Sequence, residues 1–253
     1  MKDLILGNKL LQPFFEMLFK VAVKGMNHDR GHVPGFSGEK YVLQLVQERN
    51  AGRPLTIFDV GANTGQYAGL VVDNVRSTYD LYSFEPQEQA FLALRTVTDR
   101  PSFYPIHVAM GAEAGKTKLF YEQAGSVFAS MFPASYDNYN VCLDKSVETE
   151  VTTVDDFCLH RNVGRIDLLK IDVEGYEIEV LKGCRQMLAD GNIELIQFEF
   201  GLASIEARIF MKDFFNLLPQ YDIYRILQNG IRKVQYSEYA ELFLTTNYLA
   251  VRK

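Results

Sequence analysis

Five acidic side chains fall where this sequence could do chemistry. Asp59 closes the apolar run LTIFDV and opens the glycine turn VGANTG. Glu85 closes YDLYSFE. Asp172 and Glu174 follow LLKI in RIDLLKIDVEG, and Glu199 lies between two phenylalanines in IELIQFEF. Each apolar run reads as a buried strand, so each acid sits near a strand's carboxyl end. Ligands of open α/β sheets bind in the crevice beyond those ends, so Asp59, Glu85, Asp172 and Glu199, with His107 at the end of a further strand, converge on one site. Glu85, 26 residues beyond Asp59, is placed to accept hydrogen bonds from two vicinal ribose hydroxyls. It also suits the first turn of a following helix, where the dipole favours an acid and Pro86 is tolerated.

Asp172 reads either as a base or anchor for an acceptor hydroxyl or as the N-cap of a helix starting near Gly175. With Glu174 it could hold a divalent cation through water. Two acids specify a metal poorly, so no metal ligand is assigned. Glu199 alternates with Phe198 and Phe200 and faces away from both. It is either a polar group of an acceptor pocket or a structural acid bonded to backbone. His28 and His32 are four apart, but the Gly and Pro around them argue against the helix a metal pair needs. A loop over the site, with one of the two as alternative base, suits them better. His160 reads as a surface residue. Tyr136 and Tyr139 could stack on a sugar ring or simply pack.

The glycine turn allows close approach of a ligand, which helix N–H groups beyond it would face. No lysine follows Gly65, so it is not a P-loop, and Asn63 crowds the place where a dinucleotide fingerprint has glycine. From Leu55 onward apolar runs alternate with amphipathic stretches, which implies a mostly parallel sheet with helices on both faces. FYPIHVAM is the third strand. KTKLFYE and ETEVTTVDDF read as shorter strands, YEIEVLKGCRQMLAD and SIEARIFMKDFFNLL as helices. YDIYRIL and LFLTTNYLAV suit a closing hairpin that adds an antiparallel strand. Residues 1–50 read as a helical segment and loop, 51–253 as the main domain. In the first part Leu11, Phe14, Phe15, Leu18, Phe19 and Ala22 recur at helical spacing. That stripe packs on the domain, or serves a dimer contact or a membrane surface; polar residues break it too often for it to span a bilayer.

The chain has 253 residues, 47% hydrophobic, with a formal charge of −6. That balance argues against a nucleic-acid binder. Three scattered cysteines argue against a disulfide framework or a zinc site, and with no targeting signal a cytoplasmic protein is expected.

FDVGANTGQYA, YSFEP, VAMGAEAG and TTVDDF…IDLLKIDVEGYEIEVLKG, in this order over roughly residues 55 to 200, resemble the FkbM-type methyltransferases of the class I S-adenosylmethionine-dependent fold. The resemblance implies methyl transfer to a hydroxyl of a sugar, glycan or secondary metabolite. It places Asp59, Gly61, Ala62, Asn63 and Gly65 at the cofactor's methionine portion and Glu85, followed by Pro86, at the ribose. His107, Val108, Ala109 and Met110 fall near the adenine. Asp172, Glu174 and Gly175 match the signature after the fourth main strand, where Asp172 would meet both cofactor and acceptor. Ser126 and Ser130 occupy a serine-containing loop. Asp172 and Glu199 are the expected catalytic pair. The competing classes are an NAD-dependent or nucleotide-sugar oxidoreductase, against which the missing GxGxxG and Tyr-x-x-x-Lys speak, and a module that binds S-adenosylmethionine without catalysis. Acceptor contacts are expected from the N-terminal segment, the Gly125–Lys145 loop and the region after Glu199.

Overall fold

A computed structural model of the chain describes residues 6–31, 37–50, 52–123, 129–136 and 140–253. Its strands are β1 (Leu55–Val60), β2 (Tyr79–Phe84), β3 (Phe103–Ile106), β4 (Ala109–Met110), β5 (Gly115–Tyr121), β6 (Ala129–Ser130), β7 (Ser135–Tyr136), β8 (Val141–Cys142), β9 (Lys145–Thr152), β10 (Ile166–Ile171), β11 (Ile193–Phe200), β12 (Tyr221–Leu227), β13 (Gly230–Lys233) and β14 (Thr246–Arg252). The α-helices are α1 (Gln12–Gly25), α2 (Glu39–Arg49), α3 (Gln66–Asn74), α4 (Glu88–Leu94), α5 (Val154–Arg161), α6 (Glu177–Lys182), α7 (Arg185–Ala189), α8 (Leu202–Glu206) and α9 (Met211–Leu217).

Eight strands form the main sheet in the order β13-β12-β14-β11-β10-β1-β2-β3. β11, β10, β1, β2 and β3 pair in parallel. Strand alternation divides their side chains between two cores. Phe58, Leu169, Ile196 and Phe198 pack with α5, α6, α7 and α9 on one face. Ile57, Leu168, Leu195 and Leu249 pack with α2 and α3 on the other. A parallel sheet needs both faces covered, and these helices do so. Val42, Leu43 and Val46 put α2 inside the second core, whereas α1 buries Val23 alone.

The expected closing hairpin is more elaborate. β14 inserts between β11 and β12, antiparallel to both, and the hairpin partner of β12 is β13. FYPIHVAM divides as well: β3 stays in the main sheet, while β4 pairs with β9 in a second sheet ordered β4-β9-β5-β6. The stretch ETEVTTVDDF is half helix, because the Thr153 hydroxyl accepts the Asp156 N–H at 2.9 Å and caps α5. The single helix expected over 176–190 breaks into α6 and α7 at Gly183. A Cβ there would collide with the Gly111 carbonyl oxygen, so the close approach of two backbones fixes the break.

Candidate active site

One cavity of about 820 Å³ opens beyond the carboxyl ends of β1, β2, β10 and β11. Register brings the acids together. Lys170 on β10 pairs with Asp59 on β1 and Gln197 on β11. Two residues further along the same face come Asp172 and Glu199, side by side at the strand ends. The carboxylates of Asp172, Glu174 and Glu199 lie within 4.8 Å of one another. Together with Glu85, Ala62, Asn63, Pro86, Val108 and Ser130, all three line the cavity.

Asp172 does not cap a helix. Its Oδ2 accepts from the Lys170 ammonium at 3.1 Å, and α6 starts only at Glu177. The turn from Val173 to Gly175 is braced instead by Glu177, whose Oε1 accepts the Val173 and Gly175 N–H groups at 3.3 and 3.1 Å. Within this turn Glu174 takes a left-handed φ of 51°. The Ser130 hydroxyl donates to its carbonyl at 2.7 Å and ties the second sheet to the site.

Beneath the acids Lys170 is 5% exposed. Its ammonium reaches Asp59 Oδ1 at 3.4 Å and stands 4.8 Å from the centre of the Tyr67 ring. Burial alone would lower the lysine's pKa, but the carboxylates of Asp172, Asp59 and Glu39 outweigh it and hold the ammonium charged. Burial raises Asp59 against the pull of Lys170. Glu199 rises through burial and its neighbours Asp172 and Glu174; Glu174 rises through burial, Asp172 and Glu177. Lys170, Glu177 and Glu39 were not singled out in the sequence, although a lysine inside the apolar run LLKI is itself the signal of a buried ion pair.

Glu85 is 5% exposed, and burial pushes its pKa up to about 7. Its Oε2 accepts the Asn63 N–H at 2.8 Å and its Oε1 the Gln87 N–H at 2.7 Å. Each oxygen keeps a second acceptor position, so the same carboxylate fixes the turn and can receive two hydroxyls. The Tyr67 hydroxyl lines the cavity too, buried and without a hydrogen-bond partner. These groups fit a ribose-bearing ligand.

Other expected contacts are placed differently. The N–H groups of the turn itself are bonded within the chain. Gly61 and Ala62 both donate to the Phe84 carbonyl, Asn63 to Glu85, Thr64 to Asn63 Oδ1, and Gly65 to the Ala62 carbonyl. No phosphate cradle is left in residues 61–65. Gly61 lines the cavity, but with φ of 82° its missing Cβ makes room for the Asp172 carbonyl oxygen, so packing of β1 against β10 requires the glycine. Gly65 turns toward Val97 and Leu94, and Asp59 lies fully buried behind Lys170; neither lines the cavity. His107 is exposed, with its ring stacked on Phe91 at 4.7 Å and Nε2 2.9 Å from the Pro86 carbonyl oxygen. Ser126, His32 and Tyr139 lie outside the described residues. His28 is buried between Thr246 and Arg225, and burial with the Arg225 charge lowers its pKa to about 4, so it is a neutral structural group and not a base. His160 is exposed on α5, bonded to the Asp156 carbonyl, and Tyr136 is buried against the cavity.

This is the class I methyltransferase fold, an α/β sheet with helices on both faces and its ligand cavity at the strand ends. Residues 59–236 match the Methyltransferase FkbM domain, and the chain belongs to that family. It is 25% identical over 165 residues to the hexuronic acid methyltransferase AglP of Haloferax volcanii, a match covering 65% of this chain and 64% of that protein. The chain thus spans less than two thirds of that relative's length. It is 23% identical over 190 residues to the 2-O-methyltransferase NoeI of Sinorhizobium fredii, covering 69% of this chain and 75% of NoeI. The FkbM methyltransferase structure from Methylobacillus flagellatus aligns with TM-score 0.49 and 14% identity, over 78% of this chain and 43% of that one.

Proposed function

We propose that the chain is an S-adenosylmethionine-dependent O-methyltransferase whose acceptor is a hydroxyl of an uncharged sugar. The observation that carries this is a single cavity lined both by Glu85 and by the Asp172–Glu174–Glu199 trio. When bound, S-adenosylmethionine supplies a methyl carbon made electrophilic by its sulfonium. Glu85 would hold the ribose hydroxyls, with Val108 and Met110 as apolar wall. Asp172 and Glu199 would orient the acceptor hydroxyl, and Asp172 would take its proton as the oxygen–methyl bond forms. Alignment of the reacting atoms lowers a barrier by about 7–11 kcal/mol. A positioned base adds about 10²–10⁴-fold, equivalent to roughly 3–5 kcal/mol. Orientation by the carboxylates is therefore the larger contribution.

The substrates named for AglP and NoeI favour a sugar. The acids at the acceptor end favour a neutral one, because none of them gives a hexuronate carboxylate a positive partner and the Lys170 ammonium beneath them is already shared by Asp59 and Asp172. The committed N–H groups of the glycine turn weigh against a dinucleotide pyrophosphate and so against the oxidoreductase. The trio's oxygens could also surround a hard cation, but transfer needs none, since Lys170 already neutralises part of their charge. Calorimetry with S-adenosylmethionine, S-adenosylhomocysteine and NAD separates the classes. Binding of the first two without NAD supports this assignment, while NAD binding with no response to S-adenosylmethionine overturns it.

A further inference from the structure

Eight of the fifteen exposed large apolar side chains among the described residues crowd into residues 6–26. α1 is amphipathic, yet its main apolar stripe faces away from the domain. At about 100° per residue, Phe14, Met17, Leu18 and Val21 fall within one arc of roughly 100°. Leu10 extends the stripe and is 87% exposed. Lys20 and Lys24 run along one edge of this arc, and Lys9 precedes it. Between residues 6 and 26 these three lysines face one acid, Glu16, on a chain of net charge −6. A basic, apolar face on an acidic body is complementary to an anionic, apolar surface, whereas the same face of a second copy carries the same three lysines and repels it.

The helix is also fixed to the cavity rather than tethered loosely. Just beyond it the Asn27 side chain donates to the Ile226 carbonyl at 3.1 Å, and His28 bonds Thr246 at 3.1 Å. Gly31 N–H donates to the Thr245 carbonyl at 3.1 Å, and Asn247 returns a bond to the Gly31 carbonyl at 3.2 Å. Gly31, Thr245 and Asn247 line the cavity.

We propose that α1 is an interfacial anchor that docks this chain on an anionic phospholipid surface, with the active-site cavity held at that surface. An interfacial helix buries its apolar face among the headgroups while flanking lysines pair with acidic lipids. That the docked cavity receives a sugar carried on a membrane component rests on the methyl-transfer assignment; the docking does not.

The test is flotation of the full chain with vesicles of phosphatidylcholine alone and of phosphatidylcholine with phosphatidylglycerol. The chain should float with the phosphatidylglycerol vesicles and leave them at high salt. Lys20→Glu with Lys24→Glu should weaken partitioning at least about fivefold for each lysine lost. Phe14→Gln with Leu18→Gln should abolish it with no loss of helical circular dichroism, since both side chains are exposed in the structure. Failure to float with anionic vesicles overturns the proposal, as does a dimer that Phe14→Gln with Leu18→Gln converts to monomer. Neither readout uses cofactor or turnover, so the result stands apart from the assignment of the reaction.

Discussion

Replacing Lys170 with methionine keeps the aliphatic stem and removes the charge that holds the floor of the cavity. Its two partners are not equivalent. The Asp172 side chain is 38% exposed and can be solvated, whereas that of Asp59 is fully buried and its Oδ2 already lacks a partner. The cost therefore comes mainly from Asp59. Stranding one member of a buried ion pair costs about 3–5 kcal/mol. Asp59 can escape by taking a proton, which fixes the sign of the pH dependence. Burial already raises its folded pKa, and loss of the ammonium raises it further above the unfolded value of about 4. Between those two values the folded state holds a proton that the unfolded state lacks, so stability falls as pH rises, by about 1.4 kcal/mol per unit. Lys170→Met should be mildly destabilised near pH 5 and lose about 3–5 kcal/mol at pH 8. Adding Asp59→Asn should flatten that dependence. The chain has no tryptophan, so urea unfolding followed by far-ultraviolet circular dichroism is the assay. A deficit below about 1 kcal/mol at pH 8, or one equal at both pH values, would refute the coupling of Lys170 to an ionised Asp59.

Glu85→Ala should weaken S-adenosylmethionine binding by about 1.5–3 kcal/mol for each hydroxyl bond lost, and lower the melting temperature because the Asn63 and Gln87 N–H groups lose their acceptor; unchanged affinity in folded protein would remove Glu85 from the ribose. Because burial sets Glu85 at about 7, its accepting, ionised form is complete only above that pH; calorimetry should show cofactor affinity falling as pH drops below 7, and an affinity flat from pH 6 to 8 would count against it. Gly61→Ala should destabilise the fold itself, by at least the roughly 1–3 kcal/mol of a strained left-handed residue; a normally stable variant would contradict the close passage of Asp172 over Gly61. Treatment with EDTA should leave turnover unchanged, and activity lost to chelation and restored by magnesium would place a cation on the trio.

Much of the frame is legible from composition and order alone. LTIFDV, YDLYSF, IDLLKI and IELIQFEF become strands, and Glu85, Asp172, Glu174 and Glu199 reach one cavity because parallel strands in register bring their carboxyl ends to one edge, with Asp59 held behind them. What the sequence hides is which partner each group finds. Asp172 satisfies the local pattern of an N-cap as well as that of a site acid, and only the placement of Lys170 decides between them. The N–H groups of residues 61–65 look available in a strand-turn-helix, but Phe84 and Glu85 reach them from the neighbouring strand and its end. Gly61 and Gly183 announce close approach without saying to what; in both cases it is backbone of the same chain. β13 is four residues, Gly230–Lys233, too short and polar for alternation to register.

Methyl transfer to a neutral sugar is read directly by supplying the protein with isotopically labelled S-adenosylmethionine and a panel of neutral and acidic glycans and following the label by mass spectrometry. One methyl group should appear on a hydroxyl of a neutral glycan. Asp172→Asn should bind the cofactor normally and lose about 10²–10⁴-fold in transfer. Transfer confined to acidic glycans, or undiminished in Asp172→Asn, would contradict the account.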